Sequence, residues 1–352
     1  MDLERPAILL VSTVLLLGMS GAHEGEEPPT QSPGRPDVPF MLPTTNRALF
    51  EVEGEARFFS PTPGRDWTSG TYGCVRTDGF QFHEGLDIKW TQRDRKREPL
   101  DDVRATARGE VAYINSKPWS SQYGNYIVLK HRMEGLDVYS IYAHLSRIRD
   151  GLEVGGVVEA EAPLATMGRT ANTRQSIHPD RAHVHFEIAL LVTDRFHAWH
   201  RNKYKDGVNE HGNWNGLALA GLDPWALFRA QQRQGTNFSL VAFLRGQKEL
   251  CRVWIGQDTF AWLERHPALL RPNPRAEREG IAGYEVALNY AGIPFEITPR
   301  AASEFQAAET FQLLSVDPEE QSANPCKKLL RWKEGRWQLT DRALEYFKLL
   351  TF

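Results

Sequence analysis

The sequence lacks several features that would identify common classes of protein. It has three cysteines in 352 residues and no CxxC pair, so cysteine-based zinc binding has no support. A net charge of -3 gives no basic surface, so we expect no nucleic-acid partner. No internal repeat and no HExxH motif occur. With 41% hydrophobic and 25% charged residues, the composition is that of a globular protein of about two domains.

The N-terminus has the pattern of an export signal. Residues 7–19 are almost wholly apolar, and Ser20, Gly21 and Ala22 offer small residues for cleavage. The apolar stretch falls short of the roughly 20 residues that a membrane span needs. We therefore expect residues 1–22 to be a signal peptide and the protein to be periplasmic or extracellular. An uncleaved N-terminal membrane anchor is the lesser alternative.

Residues 23–47 are rich in Pro and Glu and predict a linker. After it, short apolar runs alternate with glycine and asparagine turns. Strand candidates are Tyr126–Lys130, Asp137–Tyr142 and His183–Ile188. Frequent strands and few helical stretches predict a mainly β fold, with an antiparallel β-sheet domain over residues 48–230.

A polar break at residues 231–237 precedes a different pattern. Residues 238–352 mix strand-like and helical runs, including helical spacing in residues 340–350 with Thr340 or Asp341 as the cap. This predicts a smaller α+β C-terminal domain, and no motif in it names an activity.

The three cysteines are Cys74, Cys251 and Cys326. The last two both fall in the C-terminal part, and in an oxidising compartment we expect them to pair, which leaves Cys74 without a partner. Such a bond would stabilise the protein by roughly 4 kcal/mol in the chain-entropy model. Three buried thiols are the alternative.

Three short motifs carry candidate chemistry: HEGLD at residues 83–87, YAHL at 142–145 and HVH at 183–185. Alternate residues of a strand share a face, so His183 and His185 point the same way, with Glu187 beside them. If residues 83–87 are extended, His83 and Asp87 also share a face, although the sequence equally permits a turn there.

These residues can form a zinc site. A catalytic zinc takes three nitrogen or oxygen ligands and keeps one position for water, and His83, Asp87 and His185 supply two imidazoles and a carboxylate. His144 and His183 are then available to accept a proton from that water and to stabilise the developing oxyanion.

Together and in this order, the motifs resemble the lysostaphin/LytM-type zinc endopeptidases, which are peptidoglycan peptidases. The resemblance runs from roughly Phe58 to Phe228. It includes HEGLDI at 83–88, YGNYIVLKH at 123–131, YAHLS at 142–146, GRT at 168–170, HVHFEI at 183–188 and GLDP at 221–224.

The resemblance implies that His83, Asp87 and His185 bind zinc and that His144 and His183 assist catalysis. It also implies a secreted zinc metalloendopeptidase that hydrolyses stem peptides or cross-links of peptidoglycan with a zinc-activated water. The alternative is a non-hydrolytic, peptidoglycan-binding regulator of cell-wall amidases. Because all five residues are present, we expect an active enzyme. The position of the C-terminal domain makes it a candidate for binding the cell wall or a protein partner.

The sequence departs from this family in two loops. The charged segment 92–102 and the segment 171–182 are both extended, and we expect them to rim the substrate groove. His178 is either an extra groove residue or an ordinary loop histidine. Residues 197–216 either form a groove wall or pack on their own aromatic side chains. Glu187 either orients a ligand histidine or makes a structural hydrogen bond.

Overall fold

The strands that the sequence predicts are present in a computed structural model, which describes residues 40–173, 176–205, 207–214, 216–305 and 309–352. The predicted signal peptide and residues 23–39 of the predicted linker lie outside the described residues.

The strands are β1 Gly73–Arg76, β2 Gln81–His83, β3 Leu86–Lys89, β4 Asp102–Arg104, β5 Gly109–Asn115, β6 Tyr126–Met133, β7 Leu136–Ala143, β8 Arg147–Ile148, β9 Val157–Val158, β10 Pro163–Thr166, β11 His183–Leu191, β12 Leu219–Leu222, β13 Cys251–Ile255, β14 Gly283–Leu288, β15 Pro294–Arg300, β16 Phe311–Val316, β17 Leu330–Lys333 and β18 Arg336–Leu339. The helices are α1 Glu55–Phe58, α2 Phe196–Lys203, α3 Pro224–Gln234, α4 Leu240–Arg245, α5 Ala261–Arg265, α6 Pro274–Glu279, α7 Pro318–Ala323 and α8 Asp341–Leu350.

A seven-stranded sheet organises the first part of the chain. Its order is β12-β11-β7-β6-β5-β9, with β3 paired to the other end of β11, and every pairing is antiparallel. Strands β6 and β7 form a hairpin whose turn residues Glu134 and Gly135 both have positive φ, which suits a tight two-residue turn. The predicted mainly β, antiparallel fold is therefore confirmed.

Strand β11 lies inside the sheet and is buried along its whole length. Its alternate residues Val184, Phe186 and Ile188 are fully buried apolar side chains. Phe186 packs on Tyr142 and Phe228, with ring centroids 5.4 and 6.1 Å away. This apolar face fixes the register of β11, because a slip by one residue would move the polar side chains into the core.

The C-terminal part has its own four-stranded antiparallel sheet, in the order β15-β14-β13-β16. Helix α8 has the predicted N-cap, since the Thr340 hydroxyl accepts a hydrogen bond from the Ala343 N–H at 3.1 Å. An α+β arrangement in this part agrees with the sequence expectation. A single compact unit, Asp37–Phe352, contains all the described residues.

The end of the predicted linker belongs to this unit. Phe40 and Leu42 are buried in the core. The Phe40 backbone N–H donates to Gln231 Oε1 at 2.8 Å, and Gln231 Nε2 donates to the Phe40 carbonyl at 2.9 Å. These contacts place the start of the described chain in the core, where the Gln231 amide satisfies the backbone N–H and carbonyl of Phe40.

The expected Cys251–Cys326 disulfide is wrong. The bond joins Cys74 to Cys326, with Cα atoms 5.5 Å apart, while Cys251 is a free, buried thiol. Cys251 faces the core from β13, whereas Cys74 on β1 lies beside the segment that follows α7. The bond therefore fastens the C-terminal part to the strand next to the predicted metal ligands.

Loss of this disulfide should destabilise the protein. Cys326→Ser is expected to lower the free energy of unfolding by about 2–5 kcal/mol, because the bond closes a long loop of the unfolded chain. Denaturant titration measures the change, and Cys251→Ala is the control that keeps the bond. Peptide mapping without reduction that finds Cys251 linked to Cys326 would contradict this pairing.

No helix in the described ranges is both long and apolar enough to cross a membrane.

Candidate metal centre and active site

Three predicted ligand atoms meet beside the main sheet. His83 Nε2 lies 3.1 Å from Asp87 Oδ1 and 3.1 Å from His185 Nδ1, and His185 Nδ1 lies 3.0 Å from Asp87 Oδ1. All three residues are buried. Tetrahedral ligands about 2.0–2.1 Å from zinc are about 3.3 Å apart. This triangle therefore has nearly the size that a zinc ion requires, and the group can hold a metal ion.

Strand pairing brings these residues together. Asp87 on β3 is the direct cross-strand partner of His185 on β11, and His83 ends β2. A bend at Gly85 joins β2 to β3. A Cβ on Gly85 would lie 2.2 Å from the Phe186 carbonyl oxygen, so glycine is needed for this close approach. The extended and turn alternatives both hold in part, since the motif is strand, bend, strand.

Hydrogen bonds orient both imidazoles. His83 Nδ1 donates to the Thr71 carbonyl at 2.6 Å. Its Nε2 is therefore unprotonated, and the lone pair of this atom is directed at the other two candidate ligands. His185 Nε2 donates to Glu187 Oε1 at 2.8 Å, and the Tyr123 hydroxyl donates to the same oxygen at 2.6 Å. Metal-binding histidines commonly have such partners, which fix the tautomer and the ring. Glu187 therefore orients a candidate ligand.

The carboxylates around His185 favour a positive charge at this position, either a protonated imidazole or a metal ion. Burial lowers the pKa of His185, but hydrogen bonds and charges from Asp87 and Glu187 outweigh it and raise that pKa to about 10. Burial raises the pKa of Asp87, yet the charges of His183 and His83 and the hydrogen bonds of His183 and His185 hold it well below its usual range. A metal ion that binds here must displace the proton of His185. The ion then balances the negative charges of Asp87 and Glu187 in place of that proton.

Removal of the Glu187 carboxylate should weaken metal binding. Glu187→Ala is expected to reduce zinc affinity about 10–100-fold, because the His185 ring loses its hydrogen-bond partner. Glu187→Gln keeps an acceptor oxygen and should lose less. Competition with a chromophoric chelator measures both affinities. A folded Glu187→Ala protein that binds zinc as tightly as the unaltered protein would leave Glu187 a purely structural role.

His144 is held rigidly beside the three ligands. Its backbone has φ of 62°, a region that residues other than glycine rarely adopt and that is frequent at active sites. Its backbone N–H donates to the Tyr123 carbonyl at 2.8 Å, and its Nδ1 donates to the Thr170 carbonyl at 2.8 Å. Burial and the nearby His183 and His185 charges keep its pKa well below the usual value. His144 is therefore neutral near pH 7, with Nε2 free to accept a proton.

His183 also lies beside Asp87. Its Nδ1 donates to the Arg181 carbonyl at 2.6 Å, and its Nε2 lies 3.4 Å from Asp87 Oδ1. The His144 and His183 ring centroids are 4.8 Å apart. The structure thus brings all five predicted site residues into one cluster.

Arg76 also belongs to this cluster, although no sequence pattern indicates it. Its Nη2 lies 3.0 Å from His83 Nε2 and donates to Asp87 Oδ2, and its side chain is 15% exposed. It reaches the site because β1 pairs with β2, the strand that ends at His83. No spacing motif links it to the ligands, so only the pairing of these strands identifies it.

The cluster opens into a groove of about 650 Å³. The extended loop before β11 lines it with Asn172, Ile177 and Arg181. His178 instead has a side chain that is 68% exposed and accepts a hydrogen bond from the Asp180 N–H, as an ordinary loop histidine. The loop therefore borders the groove as expected, and His178 is not part of its lining.

The charged segment 92–102 braces that loop. Glu98 pairs with Arg169 at 2.8 Å, and Arg93 pairs with Asp180 at 3.0 Å. None of the segment's residues is in the groove lining of the described chain. Its contribution is to position the loop, whereas the sequence suggested that it would rim the groove itself.

Trp199 in the segment 197–216 packs on Tyr204, with ring centroids 6.2 Å apart, and two residues near the end of the segment line the groove, so both alternatives that the sequence left open hold in part. The two lining residues are His211 and Gly216. His211 Nε2 donates to the Ser120 carbonyl at 2.9 Å, and its Nδ1 lies 3.0 Å from the Tyr113 hydroxyl. The segment is therefore anchored to the strands beside the site.

Comparison with protein families agrees with this geometry. Residues 81–195, which contain all five predicted site residues, match the model of peptidase family M23. This segment therefore resembles an M23 peptidase domain. The predicted resemblance to lysostaphin and LytM is therefore confirmed. No curated protein matches the chain significantly.

Solved structures similar to this chain include a LytM protein from Ruminococcus gnavus, at 27% identity over 30% of this chain and 39% of that one, with a TM-score of 0.24. The lysostaphin catalytic domain from Staphylococcus simulans has 20% identity over 46% and 87%, with a TM-score of 0.27. A zinc-containing peptidase from Vibrio cholerae has 20% identity over 43% and 37%, with a TM-score of 0.28. The chain thus spans less than half of the first and third proteins.

Proposed function

We propose that this protein is an exported zinc metalloendopeptidase that hydrolyses peptide bonds in peptidoglycan stem peptides or cross-links. The observation that carries the proposal is the triangle of His83 Nε2, Asp87 Oδ1 and His185 Nδ1, with edges of 3.0–3.1 Å. It opens into a groove and lies in the segment that matches peptidase family M23.

His83, Asp87 and His185 would hold the zinc ion through these three atoms. When bound, zinc supplies Lewis-acid polarisation of a substrate carbonyl and lowers the pKa of a water molecule. Three protein ligands leave the open coordination position that a catalytic site needs. A fourth protein ligand from His183 would close that position, which supports a separate role for His183.

His144 is the better candidate for accepting the water's proton. Its Nδ1 donates to the Thr170 carbonyl, so the Nε2 lone pair is free. Its lowered pKa keeps it neutral, which is the state that a general base requires. The fixed backbone and ring hold this base in place before the substrate arrives.

His183 is the better candidate for stabilising the developing oxyanion. Its Nδ1 is occupied by the Arg181 carbonyl, and its Nε2 faces the anionic Asp87 carboxylate at 3.4 Å. An N–H on Nε2, beside the metal position, can donate a hydrogen bond to an oxyanion.

Two features support export. The apolar residues 7–19 precede small residues suitable for cleavage. The Cys74–Cys326 disulfide is of a kind that persists in oxidising compartments outside the cytoplasm.

A direct test is digestion of defined cross-linked muropeptides by the zinc-loaded protein. Each cleavage should add one water to the product masses, a chelator should stop the reaction, and added zinc should restore it. His178→Ala, an exposed histidine outside the groove, is the matched control and should remain active. A zinc-loaded protein that binds peptidoglycan but leaves every muropeptide intact would instead be the non-hydrolytic regulator.

A further inference from the structure

Two arginine side chains line the groove beside the five site residues, namely Arg76 and Arg181. Two carboxylates also line it, Glu84 and Asp87. Asp87 is engaged, since Arg76 and the site imidazoles all contact it. Neither Glu84 nor any other carboxylate of the described residues lies within ion-pair distance of Arg181, although the Asp87 charge is near it.

The Nε atom and the backbone carbonyl of Arg181 are hydrogen-bonded, whereas its two terminal guanidinium nitrogens are available to a ligand. Its Nε donates to the Pro61 carbonyl at 3.2 Å, and its own carbonyl accepts the hydrogen bond from His183 Nδ1. Its terminal nitrogens have no hydrogen-bond partner among the residues that the structure describes. A guanidinium fixed in this way presents two parallel N–H groups with little loss of conformational freedom.

The Arg181 side chain lies close to the residues proposed to act on the scissile peptide bond. Arg181 precedes His183 by two residues, and the Glu98–Arg169 and Arg93–Asp180 ion pairs hold its loop. The Arg181 side chain is half-buried, and burial lowers its pKa while the Asp87 charge raises it. Asp87 is thus near enough to Arg181 for their charges to interact.

We propose that Arg181 is a specificity residue that binds a carboxylate of the substrate close to the scissile bond. A guanidinium recognises a carboxylate through two parallel hydrogen bonds. The substrate class is therefore an acidic peptide, such as a stem peptide with free carboxylates, and not an uncharged glycine bridge. This inference rests on the proposed function, because it places the substrate in the same groove.

Equilibrium binding tests the proposal without requiring turnover. The probes are a cross-linked stem-peptide dimer, the same dimer with every carboxylate converted to a carboxamide, and a pentaglycine peptide with blocked ends. Binding is measured by calorimetry on the zinc-loaded full chain carrying His144→Ala, so that no probe is consumed. The acidic dimer should bind about tenfold or more tightly than either uncharged probe, the size of effect expected for hydrogen bonds to a charged group.

Arg181→Gln in the same chain should abolish most of the preference for the acidic dimer. Arg181→Lys keeps the positive charge but not the two parallel N–H groups, and it should retain part of that preference. Arg149→Gln removes an exposed arginine outside the groove and should keep the full preference. Each variant is first checked for zinc content and for its thermal transition.

Equal binding of the acidic and amidated dimers, no binding of either, or an unchanged preference in Arg181→Gln would overturn the carboxylate site. If the preference is present and lost in Arg181→Gln, yet the unaltered protein hydrolyses none of the probes, the carboxylate site stands and the proposed hydrolytic function fails. The two ideas are therefore distinguishable in one set of measurements.

Discussion

His144→Ala and His183→Ala are each expected to lose on the order of 100-fold or more of the rate of muropeptide hydrolysis while keeping most of their zinc. Neither side chain contributes an atom to the ligand triangle, so its removal leaves the three metal-binding atoms in place. Each imidazole uses its Nδ1 for a hydrogen bond to a carbonyl, so Nε2 is the nitrogen left for catalysis, and Nε2 of His183 lies 3.4 Å from Asp87 Oδ1. Loss of one such group removes either the proton acceptor or the oxyanion donor.

Zinc content by elemental analysis and initial rates on one defined muropeptide give the two required measurements. His178→Ala is the control for removing a histidine as such, since His178 is exposed and outside the groove lining. A variant that loses its metal as completely as His185→Ala would show that the deleted histidine is a ligand. Near-normal activity in both variants would show that hydrolysis does not use them.

Asp87→Ala is expected to lose most of its zinc. Oδ1 of this carboxylate lies 3.1 Å from His83 Nε2, 3.0 Å from His185 Nδ1 and 3.4 Å from His183 Nε2. It is therefore the one anionic donor among the three candidate ligands. Its removal also leaves the Arg76 guanidinium without its carboxylate partner, which adds an uncompensated charge next to the metal position.

Asp87→Asn keeps the shape of the side chain and separates the effect of charge from that of packing. Both variants should bind zinc far more weakly in elemental analysis and in chelator competition. Asp101→Asn is the matched control, because Asp101 is also buried but bonds to Thr91 and Gln92. Unchanged zinc occupancy in folded Asp87→Ala would remove Asp87 from the metal site.

The sequence was most informative where one strand has a strict two-residue alternation. His183, His185 and Glu187 could be placed on one face of β11, and Val184 with Phe186 on the other, because successive side chains of a strand point to opposite faces. The structure has this arrangement, with the apolar residues in the core and the His185–Glu187 hydrogen bond on the polar side.

The sequence was least informative for contacts between distant strands. Arg76 reaches His83 and Asp87 only because β1 pairs with β2. The pairing of Cys74 with Cys326 spans 252 residues, and assigning both disulfide cysteines to the same predicted domain led to the wrong partner. Composition within a domain does not reveal which surface the C-terminal part packs against.

By itself, the sequence determined the mainly antiparallel β fold, the resemblance to the lysostaphin/LytM-type endopeptidases and the identity of five candidate site residues. These are properties of local alternation and of residue type. The tertiary structure alone decided that Asp87 stands opposite His185, that Arg181 is open towards the groove, and that Cys326 fastens the C-terminal part to β1. These depend on strand register and on packing between segments far apart in the chain, which the free energy of the whole fold sets and no local pattern encodes.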